Sequence, residues 1–141
     1  MADITVDKAL VRPLVGAVVR HFTAGAVMDL GTLAYIDGNR LLQKTDADAT
    51  ATVSGQLVMV VSGANANSAA TVAENEVVSG VTFGPVYIGT TTTLDATKTL
   101  YASNTPGRIA DAVGTVAKVV GEVLDTNIIF FNPVDSVPGS E

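Results

Sequence analysis

The sequence offers few residues that could carry out acid–base or nucleophilic chemistry. His21 is the only histidine, so a serine–histidine–aspartate catalyst would have to use it. It follows Arg20 in a run with strand character, and the chain has no Gly-x-Ser-x-Gly motif to present a nucleophile. We therefore interpret His21 as a structural or surface residue rather than as a general base.

One acidic stretch resembles a calcium-binding loop, but only in its first half. Asp46, Asp48 and Thr50 alternate as the first ligands of an EF-hand loop do. The sixth position of that loop needs glycine and the twelfth needs glutamate, whereas this chain has Ala51 and Leu57 there. A solvated acidic loop is the better interpretation, and no metal site is predicted.

Glu74 and Glu76 are two residues apart, so on a strand they would share a face, and a close carboxylate pair can raise one pKa. Glycosidases place such carboxylates across a sugar-binding cleft, and the chain has no Trp and only three Tyr to line such a cleft.

Gly80 and Gly84 do not indicate a phosphate-binding loop, because the Gly-Lys-Ser/Thr ending of that loop is missing. No catalytic residue and no cofactor are therefore predicted.

Composition and charge exclude further classes of protein. The chain of 141 residues has a formal net charge of −6, which argues against nucleic-acid binding, and it contains no cysteine for disulfides or thiolate chemistry. Apolar runs reach only about six residues, far short of the about 20 that a membrane-spanning helix needs. The formal net charge is +1 over residues 1–44 and −7 over residues 45–141. This uneven distribution is either chance or a sign that the N-terminal segment faces an acidic partner.

The elements that would position any site read as β-strands joined by local turns. Asp37–Asn39 is a hairpin signal, Asn104–Gly107 is a second turn, and Asp125–Asn127 precedes the β-branched and aromatic run Ile128–Phe131. In Val116–Leu124, the alternation predicts a strand that buries the side with Ala117, Val119, Gly121 and Val123, and places Lys118 and Glu122 on the other side.

Further strands are predicted upstream. Val15–Phe22 reads as the first core strand, and Gln56–Ser62 is apolar on both faces, which predicts cover on both sides. Glu76–Ile88 reads as strand broken at Gly80 and at Gly84-Pro85. The fold class predicted is all-β: a small antiparallel β-barrel or sandwich over residues 15–141, closed by a hairpin unit at 99–133, with an extended N-terminal arm at 1–14.

The closing unit resembles the final segment of bacteriophage capsid cement (head decoration) proteins. The resemblance covers about a quarter of the chain and lies in these residues: Tyr101, Ser103, Thr105, Pro106, Gly107, Val119, Val120, Gly121, Val123, Leu124 and Ile128–Pro133. It implies a non-enzymatic structural protein that binds the outer surface of a phage capsid and stabilises the shell by bridging capsid subunits. It also implies a homotrimer, the major capsid protein as partner, assembly in the host cytoplasm and residence on the virion.

In such cement proteins an N-terminal arm commonly extends over neighbouring subunits. The resemblance therefore points to a set of capsid-contact residues at the arm and just beyond it: Leu10, Val11, Arg12, Pro13, Leu14 and Arg20. Phage tail and fibre domains use similar turn and strand signatures. The alternative is therefore a tail or fibre domain that binds a host receptor or glycan through loops such as Gly63–Ala70 and Gly89–Lys98.

Overall fold

The computed structural model describes residues 3–4, 6–48, 52–53, 55–63, 70–89 and 98–133, and over these ranges the chain is all-β, as predicted. Within them, no helix is long and apolar enough to cross a membrane. The strands are β1 (Arg12–Pro13), β2 (Val18–Ala24), β3 (Met28–Asp29), β4 (Leu33–Ile36), β5 (Leu41–Lys44), β6 (Leu57–Gly63), β7 (Thr71–Val72), β8 (Val77–Tyr87), β9 (Thr99–Ala102), β10 (Ile109–Ala110), β11 (Val119–Asp125) and β12 (Ile128–Phe131).

Five of these strands close into a small barrel, in the order β8, β2, β5, β4, β6 and back to β8. The β2–β5 pair is parallel, with Thr23 opposite Leu41, and the other four pairs are antiparallel. The closing β2–β5 contact is short, limited to the pairs Thr23 with Leu41 and Ala24 with Leu42, so the start of β2 keeps a free edge. The predicted small β-barrel is therefore confirmed, with one parallel pair that the turn signals do not reveal.

The long strand β8 belongs to two sheets. Up to Phe83 it pairs with β2 and β6, and from Gly84 onward it pairs with β12 on one side and β1 on the other. Gly84 has a φ of 120°, and a Cβ there would lie 2.6 Å from the Cα of Ala17, so glycine is required where the strand changes partners. The predicted breaks at Gly80 and Gly84-Pro85 are wrong, because β8 stays extended while it passes from one sheet to the other.

The second sheet runs in the order β10, β9, β11, β12, β8, with β1 beside the end of β8. The turn signals around it are confirmed: β11 and β12 are joined at Thr126-Asn127, and Gly107 takes a φ of 76° between β9 and β10. The Asp37 hairpin between β4 and β5 is also confirmed, although the positive φ falls on Arg40 rather than on Gly38.

The strand β6 separates two hydrophobic clusters. Leu57, Met59 and Val61 belong to the larger cluster, which lies between the barrel and the second sheet, whereas Val58 and Val60 belong to a smaller one. All five side chains are buried. The prediction that this strand is covered on both faces is confirmed.

The first predicted core strand is displaced and mostly exposed. The strand β2 begins at Val18, and its first four residues are exposed to solvent. Only Thr23 and Ala24, at its far end, have β5 as a second neighbour, whereas the start of β2 pairs with β8 alone. The expectation of a core strand at Val15–Phe22 is therefore wrong, because that part of β2 lacks cover.

The extended N-terminal arm is not confirmed, because the described residues 3–4 and 6–14 lie along the rest of the chain. The Ile4 N–H donates to the Ile109 carbonyl at 2.9 Å, and the Leu14 N–H donates to the Pro85 carbonyl at 3.0 Å. Ile4 and Val11 are buried in the larger cluster. This segment thus fills part of the core of its own chain.

Candidate functional site

The single histidine lies on the outside of the barrel. His21 is exposed on β2, opposite Ser79 on β8, and the Ser79 hydroxyl lies 3.3 Å from Nδ1 of His21. The pair lies across two neighbouring strands, and His21 is open to solvent. This placement agrees with a surface histidine.

The acidic residues singled out from the sequence serve local turns. The Asp48 N–H donates to Asp46 Oδ1 at 3.0 Å, and Thr50 lies outside the described residues. Glu74 is exposed in the turn before β8, whereas Glu76 is buried and accepts a hydrogen bond from the Ala73 N–H at 3.0 Å. Both glutamates precede the strand β8, so the condition under which they would share a strand face is not met. Across the described ranges, no three metal-ligating residues come together.

The outer face of the second sheet carries a cluster of aromatic and apolar side chains, which we call the aromatic face. It consists of alternate residues of β8 and the residues of β12 that pair with them: Phe83, Pro85, Tyr87, Ile128 and Phe130. Pro85 stands opposite Phe130, and Tyr87 stands opposite Ile128. The intervening residues of these two strands point into the core, so the aromatic face looks outward.

The side chains of the aromatic face pack against one another in specific geometries. The rings of Phe83 and Phe130 meet edge to face, with centroids 5.1 Å apart, and Arg12 of β1 places its guanidinium 4.4 Å from the ring centre of Tyr87. Phe83 is nevertheless 45% exposed, and Val18 opposite it on β2 is 40% exposed. Clusters of exposed aromatic residues with arginine are typical of protein-binding surfaces.

The residues predicted to contact a capsid do not form one surface. Arg12 and Pro13 form β1 beside the aromatic face, and Leu10 and Arg20 are exposed elsewhere on the chain. Leu14 is half-buried. Val11 is buried in the core of its own chain.

Sequence reasoning missed the aromatic residues of this face. Phe83 and Tyr87 have the same parity on one strand, which is the signal that could have found them. The predicted break at Gly84-Pro85 placed them on separate strands. Phe130 was assigned to its strand correctly, but its neighbours depend on the β8–β12 pairing, which local sequence does not specify.

A second feature is a groove of about 380 Å³ where the N-terminal segment meets the β9–β10 turn. Three cationic residues line it, Lys8, Lys44 and Arg108, together with one anion, Asp29. Lys8 pairs with Asp29 at 3.3 Å. The groove shares no residue with the aromatic face.

No protein-family model matches this chain, and no curated protein is similar to it. The fold and the exposed surfaces define a small β-barrel protein with an outward aromatic face and a cationic groove.

Proposed function

We propose that this chain is a non-enzymatic structural protein that binds the outer surface of a phage capsid and stabilises the shell by bridging capsid subunits. The observation that carries the proposal is the aromatic face. A half-exposed phenylalanine within an aromatic cluster favours a surface that a partner covers. The resemblance of residues 99–133 to capsid cement proteins supplies the identity of that partner, the major capsid protein.

The aromatic face has the composition of a binding hot spot. Phe83, Tyr87 and Phe130 are large and already ordered by their neighbours, so little side-chain freedom is lost when a partner covers them. Arg12 lies over Tyr87 at the edge of the face, where its guanidinium can also form a bidentate pair with a capsid carboxylate. In this account Arg12 is the capsid contact among the residues predicted from the sequence.

Shell stabilisation then follows from mass action. A protein that binds only the assembled lattice adds its binding free energy to the stability of the shell. A homotrimer, as in the cement proteins that the chain resembles, would present three aromatic faces. Each contact after the first is then effectively intramolecular, so that modest single-site affinity gives firm attachment.

The number of copies per virion tests this proposal. The number of copies of this chain per virion can be measured by quantitative gel densitometry of purified virions of the encoding phage. We expect it to be comparable to the number of copies of the major capsid protein. A number closer to that of tail proteins would contradict shell binding and favour a tail or fibre domain. Absence from the virion would contradict both.

A further inference from the structure

The cationic groove concentrates positive charge on an acidic protein. The formal charge of the residues that line the groove is +2, from Lys8, Lys44 and Arg108 against Asp29. The formal net charge of the whole chain is −6. Three of the eight lysines and arginines of the chain therefore line one groove. Such a concentration of positive charge attracts an anionic partner.

Two of these cations are available to a ligand. The side chains of Lys44 and Arg108 are exposed, and neither forms an ion pair within the part of the chain that the structure describes. The stem of Lys44 lies beside Gly107, since a Cβ built there would lie 3.4 Å from Lys44 Cγ. Lys8 is already bound to Asp29, whose Oδ1 also accepts a hydrogen bond from the Thr71 hydroxyl at 3.0 Å.

The walls of the groove select among anions. Its apolar lining comes from Val6, Leu30, Pro106 and Ile109. Three of the backbone N–H groups along it are already bonded within the chain: Gly31 donates to the Val60 carbonyl at 2.7 Å, Gly107 to the Thr45 carbonyl at 2.8 Å and Arg108 to the Thr105 carbonyl at 3.1 Å. Phosphate sites characteristically use free backbone N–H groups, and these are not free. Cationic side chains beside an apolar wall fit a peptide that carries both carboxylates and apolar side chains.

We infer that this groove binds an acidic, extended segment of a partner protein. Carboxylates of the segment pair with Lys44 and Arg108, and an adjacent apolar side chain packs on the wall formed by Leu30 and Pro106. This inference goes beyond the proposed function and does not depend on it, because the groove is separate from the aromatic face.

Fluorescence anisotropy with a labelled octapeptide of alternating glutamate and leucine tests the inference on the full chain. We expect saturable binding at low ionic strength that weakens as salt is added. The double variant Lys44→Gln/Arg108→Gln should bind about tenfold more weakly. The matched control is Lys98→Gln, which removes an exposed cation outside the groove and should bind as the wild type does. Both altered side chains of the double variant are exposed, so it should retain the wild-type circular dichroism spectrum.

Three results would overturn the inference. One is the absence of saturable binding, and another is equal affinity of the double variant and the Lys98→Gln control. The third is displacement of the peptide by inorganic phosphate at a concentration similar to that of unlabelled peptide. Because Phe83→Ser leaves the groove intact, it should bind the peptide normally even if it no longer binds shells.

Discussion

At the scale of single residues, Asp37 shows how one carboxylate fixes a turn. Its Oδ1 accepts hydrogen bonds from the N–H groups of Asn39 at 2.8 Å and Leu41 at 3.0 Å, and its Oδ2 accepts one from Gln43 Nε2 at 3.0 Å. The bond from the Leu41 N–H lowers the pKa of Asp37 most, followed by that from Gln43. Both bonds are stronger to the charged form.

This shift predicts a pH-dependent stability. Because the pKa of Asp37 is lower in the folded chain than its ordinary value of 3.8, the carboxylate stabilises the fold above that pH. The stabilisation is lost as pH falls from there through the lowered folded-state pKa. Asp37→Asn should therefore have a lower Tm than the wild type near neutral pH, and the difference should narrow below about pH 3.8. Thermal melts across this range measure it, and a constant difference would contradict the assignment.

Lys118 shows where residue patterns mislead. The alternation in Val116–Leu124 placed Lys118 and Glu122 together on the solvent side, yet Lys118 is fully buried and Glu122 is exposed. A register shift between Val119 and Gly121, where β11 pairs with β9, inverts the parity within the strand. A bulge of this kind depends on the neighbouring strand, so alternation within β11 alone could not reveal it.

At the scale of elements, hairpins were predictable and distant pairings were not. The turns at Asp37–Asn39, Asn104–Gly107 and Asp125–Asn127 carry their own residue chemistry, so the sequence predicts them. The passage of β8 between two sheets at Gly84 and the docking of the N-terminal segment depend on contacts between residues far apart in the chain. For the same reason the candidate site was only partly predicted, through Arg12.

The docking of the N-terminal segment predicts a cost in stability. Ile4 is buried in the larger cluster, so Ile4→Ala should lower the free energy of unfolding by about 2 kcal/mol. Leu10, in the same segment, is 45% exposed, and Leu10→Ala should change it by about 0.5 kcal/mol or less. Urea unfolding compares the two variants. Equal stability of both would mean that residues 3–4 are not held on the chain, and would favour the extended arm.

At the scale of the whole molecule, the barrel and the second sheet share one core and leave the aromatic face outward. β8 is part of the barrel, and β12 pairs with the end of β8 that continues beyond it. This pairing brings the ring of Phe130 into contact with the ring of Phe83. The proposal of shell binding rests on this face, and the inference about acidic segments rests on the groove. Since they share no residue, the chain could contact two different partner surfaces at once.

The central claim is that the aromatic face binds the shell, and the affinity of variants for purified capsids that lack this chain tests it most directly. Phe83→Ser removes a half-exposed ring from the face, and Val27→Ser removes an apolar side chain of 59% exposure beyond the other end of β2. In co-sedimentation, Phe83→Ser should weaken binding by about tenfold or more. Val27→Ser should bind as the wild type does. Undiminished binding by Phe83→Ser, or an equal loss in both variants, would contradict the claim.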